Sequence, residues 1–228
     1  MEKTQVLHKS RVETRQLATM AMLVALAYVV MYTVHLPLMA AAPFLKYDPK
    51  DVVLLIGSFI YGPLSGLAMS FTVCFLEMIT VSEDPLYGFV MNFIASAAFI
   101  LPAATIYHRR RTMKGAIVGL ACSIVAMTGV MLLWNYIITP IYMGSTREAV
   151  AGMLLPVIMP FNLIKSVLNA ALVLVLYQPL TNILRRTHLL PALPDGSLRR
   201  SYNLSAVFLG LFLLATGVLV ALVLTGTI

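Results

Sequence analysis

The sequence predicts an all-α, polytopic membrane protein. Three observations carry that prediction. Of 228 residues, 60% are hydrophobic and only 11% charged, and mean hydropathy is +0.91, which places the chain outside the range of soluble domains. Apolar runs long enough to cross a ~30 Å hydrocarbon core recur along it. The basic residues are gathered between those runs rather than spread over them, as expected of helices oriented by the positive-inside rule.

Seven apolar segments can be drawn, at 17–36, 52–61, 64–81, 86–107, 116–138, 153–177 and 204–225. The first follows a basic start and precedes Ala40-Ala41-Ala42, a pattern similar to a cleaved signal peptide. Its apolar run exceeds the usual ~7–15 residues, so it is read as a retained helix. The second segment is short. Residues 52–81 as one helix would extend ~45 Å, too long for one crossing, and Gly62-Pro63 is a strong break at the middle. Two spans there put Lys3, Lys9, Arg11 and Arg15, then Arg109, Arg110, Arg111 and Lys114, then Arg185, Arg186, Arg199 and Arg200 on one side. That side is expected to be the cytoplasm, with the N-terminus inside and the C-terminus outside the cell membrane. Lys46, Lys50, Arg147 and Lys165 are left outside or in the outer half of the membrane. The net charge of +7 is thus a topology signal, with membrane lipid headgroups as a diffuse partner and no nucleic acid implied.

The expected organisation is a basic segment at 1–16, a six-helix membrane domain at 17–184, a basic linker at 185–202 and an additional helix at 203–228. Three outer connections are expected, at 35–51, 82–85 and 140–151. The first mixes prolines, aromatics and charges and is not a floppy linker. Gly62 and Gly66 suit a tight hairpin. Ala18, Ala21 and Ala25 give the first helix a face of small residues that another helix can approach closely. Cys74 and Cys122 have no metal-type spacing and read as small packing residues.

The polar residues inside the spans carry the functional reading. Asn162, Lys165 and Asn169 follow one another at i, i+3 and i+7, one face of a helix. A lysine facing lipid there is costly, so the stripe faces a protein interior or a cavity. Snorkelling of Lys165 to the headgroups is the plainer alternative, but it does not need two asparagines. Asn135 lies at a similar depth, between Trp134 and Tyr136, which suit an interfacial belt. Asn92 adds a fourth polar group, as part of the same site or as an interhelical hydrogen bond. Glu77 is expected to pair with Lys46 or Lys165, or to line the pocket.

Other chemistry is missing from the sequence. It contains no P-loop, HExxH or GxSxG motif, and no carboxylate stands at mid-span as an ion relay. No nucleophile–base pair suggests an enzyme, and no cofactor is implied. Neither an inverted repeat nor a coupling-ion carboxylate marks a self-sufficient carrier. A polar pocket without an energy source fits a binding subunit of a larger machine.

Four stretches resemble a known family: FLKYDPKDVVLLIGSFIYGPLSG, MNFIASAAFILPAATIYHRRRTMKGAIVG, WNYIITPIYMG and LLPVIMPFNLIKSVLNAAL. They resemble, in order and from about residue 15 to 184, the riboflavin-specific substrate-binding subunits (S-components) of energy-coupling-factor (ECF) vitamin transporters. The resemblance implies a six-helix bundle that binds riboflavin and works with a transmembrane coupling protein and two cytosolic ATPases. It implies that Ala21 and Ala25 meet the coupling protein, that Asn135, Asn162 and Lys165 bind the flavin ring, and that Phe44, Leu45, Lys46 and Asp48 belong to a lid over the vitamin. A related flavin such as flavin mononucleotide (FMN) is the neighbouring alternative, and a riboflavin facilitator the more distant one. The helix after residue 203 exceeds the six-helix pattern.

Overall fold

A computed structural model describes residues 2–34, 36–38, 45–82, 85–190 and 204–224. The helices are α1 (Glu2–Thr33), α2 (Lys50–Tyr61), α3 (Pro63–Thr80), α4 (Pro85–Arg110), α5 (Met113–Met143), α6 (Arg147–Met153), α7 (Met159–Arg186) and α8 (Leu204–Leu224). One π-helical turn, Leu154–Ile158, joins α6 to α7. Two-residue strands, β1 (Leu36–Pro37) and β2 (Lys46–Tyr47), pair antiparallel across the α1–α2 connection. Among the described residues, six helical stretches are long and apolar enough to cross a membrane, at 14–33, 63–80, 85–110, 113–143, 147–186 and 204–224.

α2 is different. Its 12 residues reach only ~18 Å, yet every residue from Lys50 to Phe59 is buried. It stands at the centre of the bundle, against α1, α3, α4 and α7. Leu54, Leu55 and Ile56 are wholly enclosed and pack with Leu23 and Ala27 of α1, Phe99 and Ile100 of α4 and Val173 of α7. The hairpin from α2 to α3 turns at Gly62, whose φ of 101° is a conformation that L side chains rarely adopt, and Pro63 starts α3 where no N–H is needed. The break read from Gly62-Pro63 is therefore real.

Several expectations shift in detail. α1 begins at Glu2, so most of the basic segment continues the first helix. The expected 140–151 connection is largely helical: α5 runs to Met143, Gly144 caps it in the left-handed region, and the Thr146 hydroxyl accepts the Ala149 N–H to start α6. Cys74 is buried as expected, but Cys122 is exposed on the outer surface of α5. Among the described residues, Arg15, Arg111, Arg185 and Arg186 share one end of the bundle. Arg15 donates to the carbonyls of Leu189 and Leu190, just past Arg185 and Arg186, and the Tyr107 and Tyr177 hydroxyls meet at 3.2 Å one to three turns in from the ends of α4 and α7.

α8 lies on α7. Gly210 allows this, since a Cβ there would stand 3.0 Å from the Ala171 carbonyl oxygen and closer still to Val175. Near its far end, Ala221 and Leu224 join Leu38, Leu45, Ile158 and Phe161 in a small apolar cluster behind the α1–α2 connection.

Candidate functional site

Because α2 fills only part of the bundle's length, a cavity remains above its first turn. It measures about 200 Å3. A single water needs roughly 10–15 Å3, so this is room for an organic solute rather than one ion. The walls are apolar and aromatic, from Met91, Met127, Trp134, Tyr87 and Phe161, with a few polar groups set among them, the usual make-up of a small-molecule site.

Three of those polar groups are on α5 and α7. Asn135 is 2% exposed. Its side-chain nitrogen donates to the Met131 carbonyl at 2.7 Å, and its oxygen accepts from Thr139 at 2.8 Å. Both bonds orient the amide and still leave one N–H and one lone pair for a ligand. Asn162 is held likewise, with Nδ2 donating to the Ile158 carbonyl at 2.8 Å. Ile158 closes the π turn, in a stretch where Pro156 and Pro160 each remove a backbone donor. π turns of this kind recur at functional positions. Lys165, one turn further along α7, donates to Asp48 Oδ2 at 2.9 Å.

The floor is an ion network. Lys50 is 1% exposed and reaches Glu77 Oε2 at 2.9 Å and Asp48 Oδ1 at 3.2 Å. Asn92 donates to the other Glu77 oxygen at 2.8 Å. Asp51 accepts from Ser96 at 2.5 Å. Burial of Asp48 alone would favour its neutral form. The Lys165 charge and then the Lys50 charge outweigh this and hold the carboxyl well below the usual range. Tyr47 donates to Asn169 Oδ1 at 3.0 Å; burial first, then Asp48 and Asp51, push its phenol pKa upward.

Asn92, Asn135, Asn162, Lys165, Asp48, Leu45 and Lys46 all line this one cavity. Phe44 lies outside the described residues. The α7 stripe divides: Asn162 and Lys165 face the cavity, while Asn169 is buried beside it and anchors Tyr47. Asn92 both lines the cavity and makes an interhelical hydrogen bond. Two expectations are corrected. Glu77 lines the cavity, as one of its expected alternatives had it, but its ion-pair partner is Lys50 rather than Lys46 or Lys165, because the first turn of α2 stands opposite the end of α3. Trp134 is a cavity wall rather than a belt residue, whereas Tyr136 is 43% exposed. Lys50, Asp51, Ser96 and Thr139 were not singled out. The available signal was the length of segment 52–61. A helix too short to span must begin below the surface and carry its flanking charges inward.

Ala18, Ala21 and Ala25 are exposed on α1, on the side away from the buried Thr19, Leu23 and Ala27. Small residues thus form an open strip about 10 Å long on this helix.

A multi-pass bundle with a largely apolar cavity that holds a few convergent polar groups fits a solute-binding membrane protein. Residues 15–177 match the family described as "ECF transporter, substrate-specific component", and the chain belongs to that family. It is 31% identical over 180 residues to the riboflavin transporter RibU of Staphylococcus aureus (strain TCH60), covering 76% of this chain and 94% of the relative. It is 33% identical over 165 residues to the riboflavin transporter FmnP of Bacillus subtilis (strain 168), covering 68% and 86%. A solved structure, "Structure and mechanism of the S component of a bacterial ECF transporter", superposes with a TM-score of 0.67 at 32% identity, covering 76% of this chain and 99% of that one. The protein is accordingly a transporter component and not an enzyme. α8 lies beyond the matched residues.

Proposed function

We propose that the chain captures riboflavin in this cavity, near the extracellular face, for an ATP-driven ECF importer. The carrying observation is the convergence of Asn135, Asn162, Asn92 and Lys165 on one cavity, in a protein whose relatives are riboflavin transporters. Amide groups offer both donors and acceptors, and lysine offers donors. These suit the carbonyls, ring nitrogens and N–H of an isoalloxazine edge, while Trp134, Phe161 and the methionines suit its faces. Asp48 and Glu77 are placed to meet ribityl hydroxyls. Leu45, Lys46 and Asp48 form the near edge of a lid.

The energy would come from a transmembrane coupling protein and two cytosolic ATPases, with the exposed alanine strip of α1 as the docking face. The basic end of the bundle would face the cytoplasm. The 17–184 bundle is the binding unit in this reading, and 203–228 an added helix.

Charge favours riboflavin over FMN. Lys165 is committed to Asp48, and a phosphate dianion entering the cavity would also meet Glu77. Titration calorimetry on the detergent-purified protein tests both points. Riboflavin is expected to bind one to one and more tightly than FMN. Absence of flavin binding, together with no flavin absorbance in protein purified from riboflavin-fed cells, would refute the proposal.

A further inference from the structure

A second cavity, of about 370 Å3, lies at the other end of α2, where Phe59 rather than Asp48 forms the boundary. It shares no lining residue with the first. We propose that it binds one anionic phospholipid, with the phosphodiester at Arg111 and an acyl chain beside Val173 and Leu174.

The position argues for a lipid. The C-terminal ends of α4 and α7 and the N-terminal ends of α5 and α8 meet around this cavity. Helix ends mark the headgroup level of a bilayer, so Arg111 at the mouth is at headgroup depth. Val173 lies thirteen residues before Arg186 on α7, ~20 Å further along the axis, at acyl depth. Between these levels sit Gln178 and the Tyr107–Tyr177 hydroxyl pair, at the height where a phospholipid presents ester carbonyls. The lining therefore passes from cationic through neutral polar to apolar, as a phospholipid does.

The charge argues for an anionic one. Arg109, Arg110, Arg111, Lys114, Arg185 and Arg186 lie at these helix ends, while α4, α5, α7 and α8 contain no Asp or Glu at all. The excess of positive charge has no counter-ion on the helices that carry it. Among the six, only Arg111 lines the cavity, and its guanidinium fork matches two phosphate oxygens. Val207 is on α8, so the site depends on the helix beyond the family match.

Native mass spectrometry of the full chain, released from detergent after incubation with phosphatidylglycerol, phosphatidylcholine or inorganic phosphate, tests this. One phosphatidylglycerol should be retained in preference to phosphatidylcholine. Arg111→Gln should weaken retention about tenfold, the loss expected for a charge-assisted hydrogen bond. Val207→Trp, which fills the cavity from its α8 side, should abolish it, and exposed Arg109→Gln should leave it unchanged. Circular dichroism and a monodisperse elution profile check folding; if Val207→Trp fails them, Arg111→Gln at its exposed position decides. Equal retention of both lipids, or no effect of Arg111→Gln, would overturn the proposal. An equal effect of Arg109→Gln would reduce the site to diffuse attraction and overturn it too. Displacement of the lipid by millimolar phosphate would assign the site to a free anion instead.

Discussion

Breaking a buried ion pair from one side leaves a charge without compensation, a loss of about 3–5 kcal/mol. Lys50 stands between two carboxylates that line the cavity, so Lys50→Met should weaken riboflavin binding or destabilise the fold. Glu77→Gln added to Lys50→Met removes the opposing charge, and the double variant should recover part of the loss. Thermal melts and calorimetry of the two variants check this; a double variant no better than the single would mean that Lys50 and Glu77 are not coupled. The amides answer a different question. If riboflavin occupies the cavity as proposed, Asn135→Ala and Asn162→Ala should each remove a ligand hydrogen bond, costing ~1–3 kcal/mol or about 5- to 150-fold in dissociation constant. Lys165→Met should cost at least as much, since Asp48 then keeps only Lys50. Unchanged affinity in all three would move the ligand elsewhere. Asn135, Asn162 and Lys165 were legible in the sequence because polar side chains are conspicuous inside apolar spans. Lys50 and Asp51 were not, since they follow a proline in a charged connection and resemble surface residues until the depth of α2 is known.

At the scale of elements, the α1–α2 connection and α1 itself make separate predictions. The connection is tied down at Tyr47–Asn169 and Asp48–Lys165, both beside the cavity. Ligand should slow amide exchange at 45–48 by closing this edge; equal exchange with and without riboflavin would make it a simple connector. On α1, Ala21→Trp with Ala25→Trp should block close helix approach without touching the cavity. Binding by the isolated chain is expected to persist while ATP-dependent uptake and co-purification with the coupling protein are lost. Normal uptake would confine the alanine strip to lipid contact. The helix breaks were readable because Gly62-Pro63 and the polar turns leave local marks. The continuation of α5 to Met143 and the π turn were not, since both depend on packing around Pro140, Pro156 and Pro160 rather than on hydropathy.

For the whole molecule, the central fact is the length of one helix. α2 is buried from Lys50 to Phe59, Asp48 just before it lines one cavity and Phe59 borders the other. Leu54, Leu55 and Ile56, with no exposed surface, fill the helix between Lys50 and Phe59, a length of ~13 Å. The bundle is a stoppered vessel rather than a pore, and that dictates its kinetics. Among the described residues α2 blocks the way from the upper cavity, so passage of a solute bound there would require rearrangement of the protein. Proteoliposomes holding the purified chain alone should be no leakier to riboflavin than empty ones, and steady uptake without ATP or partners would restore the facilitator reading. If the proposed importer forms, its flux should saturate at the rate of conformational cycling instead of rising in proportion to external riboflavin. Each cycle should deliver one molecule, whatever the gradient.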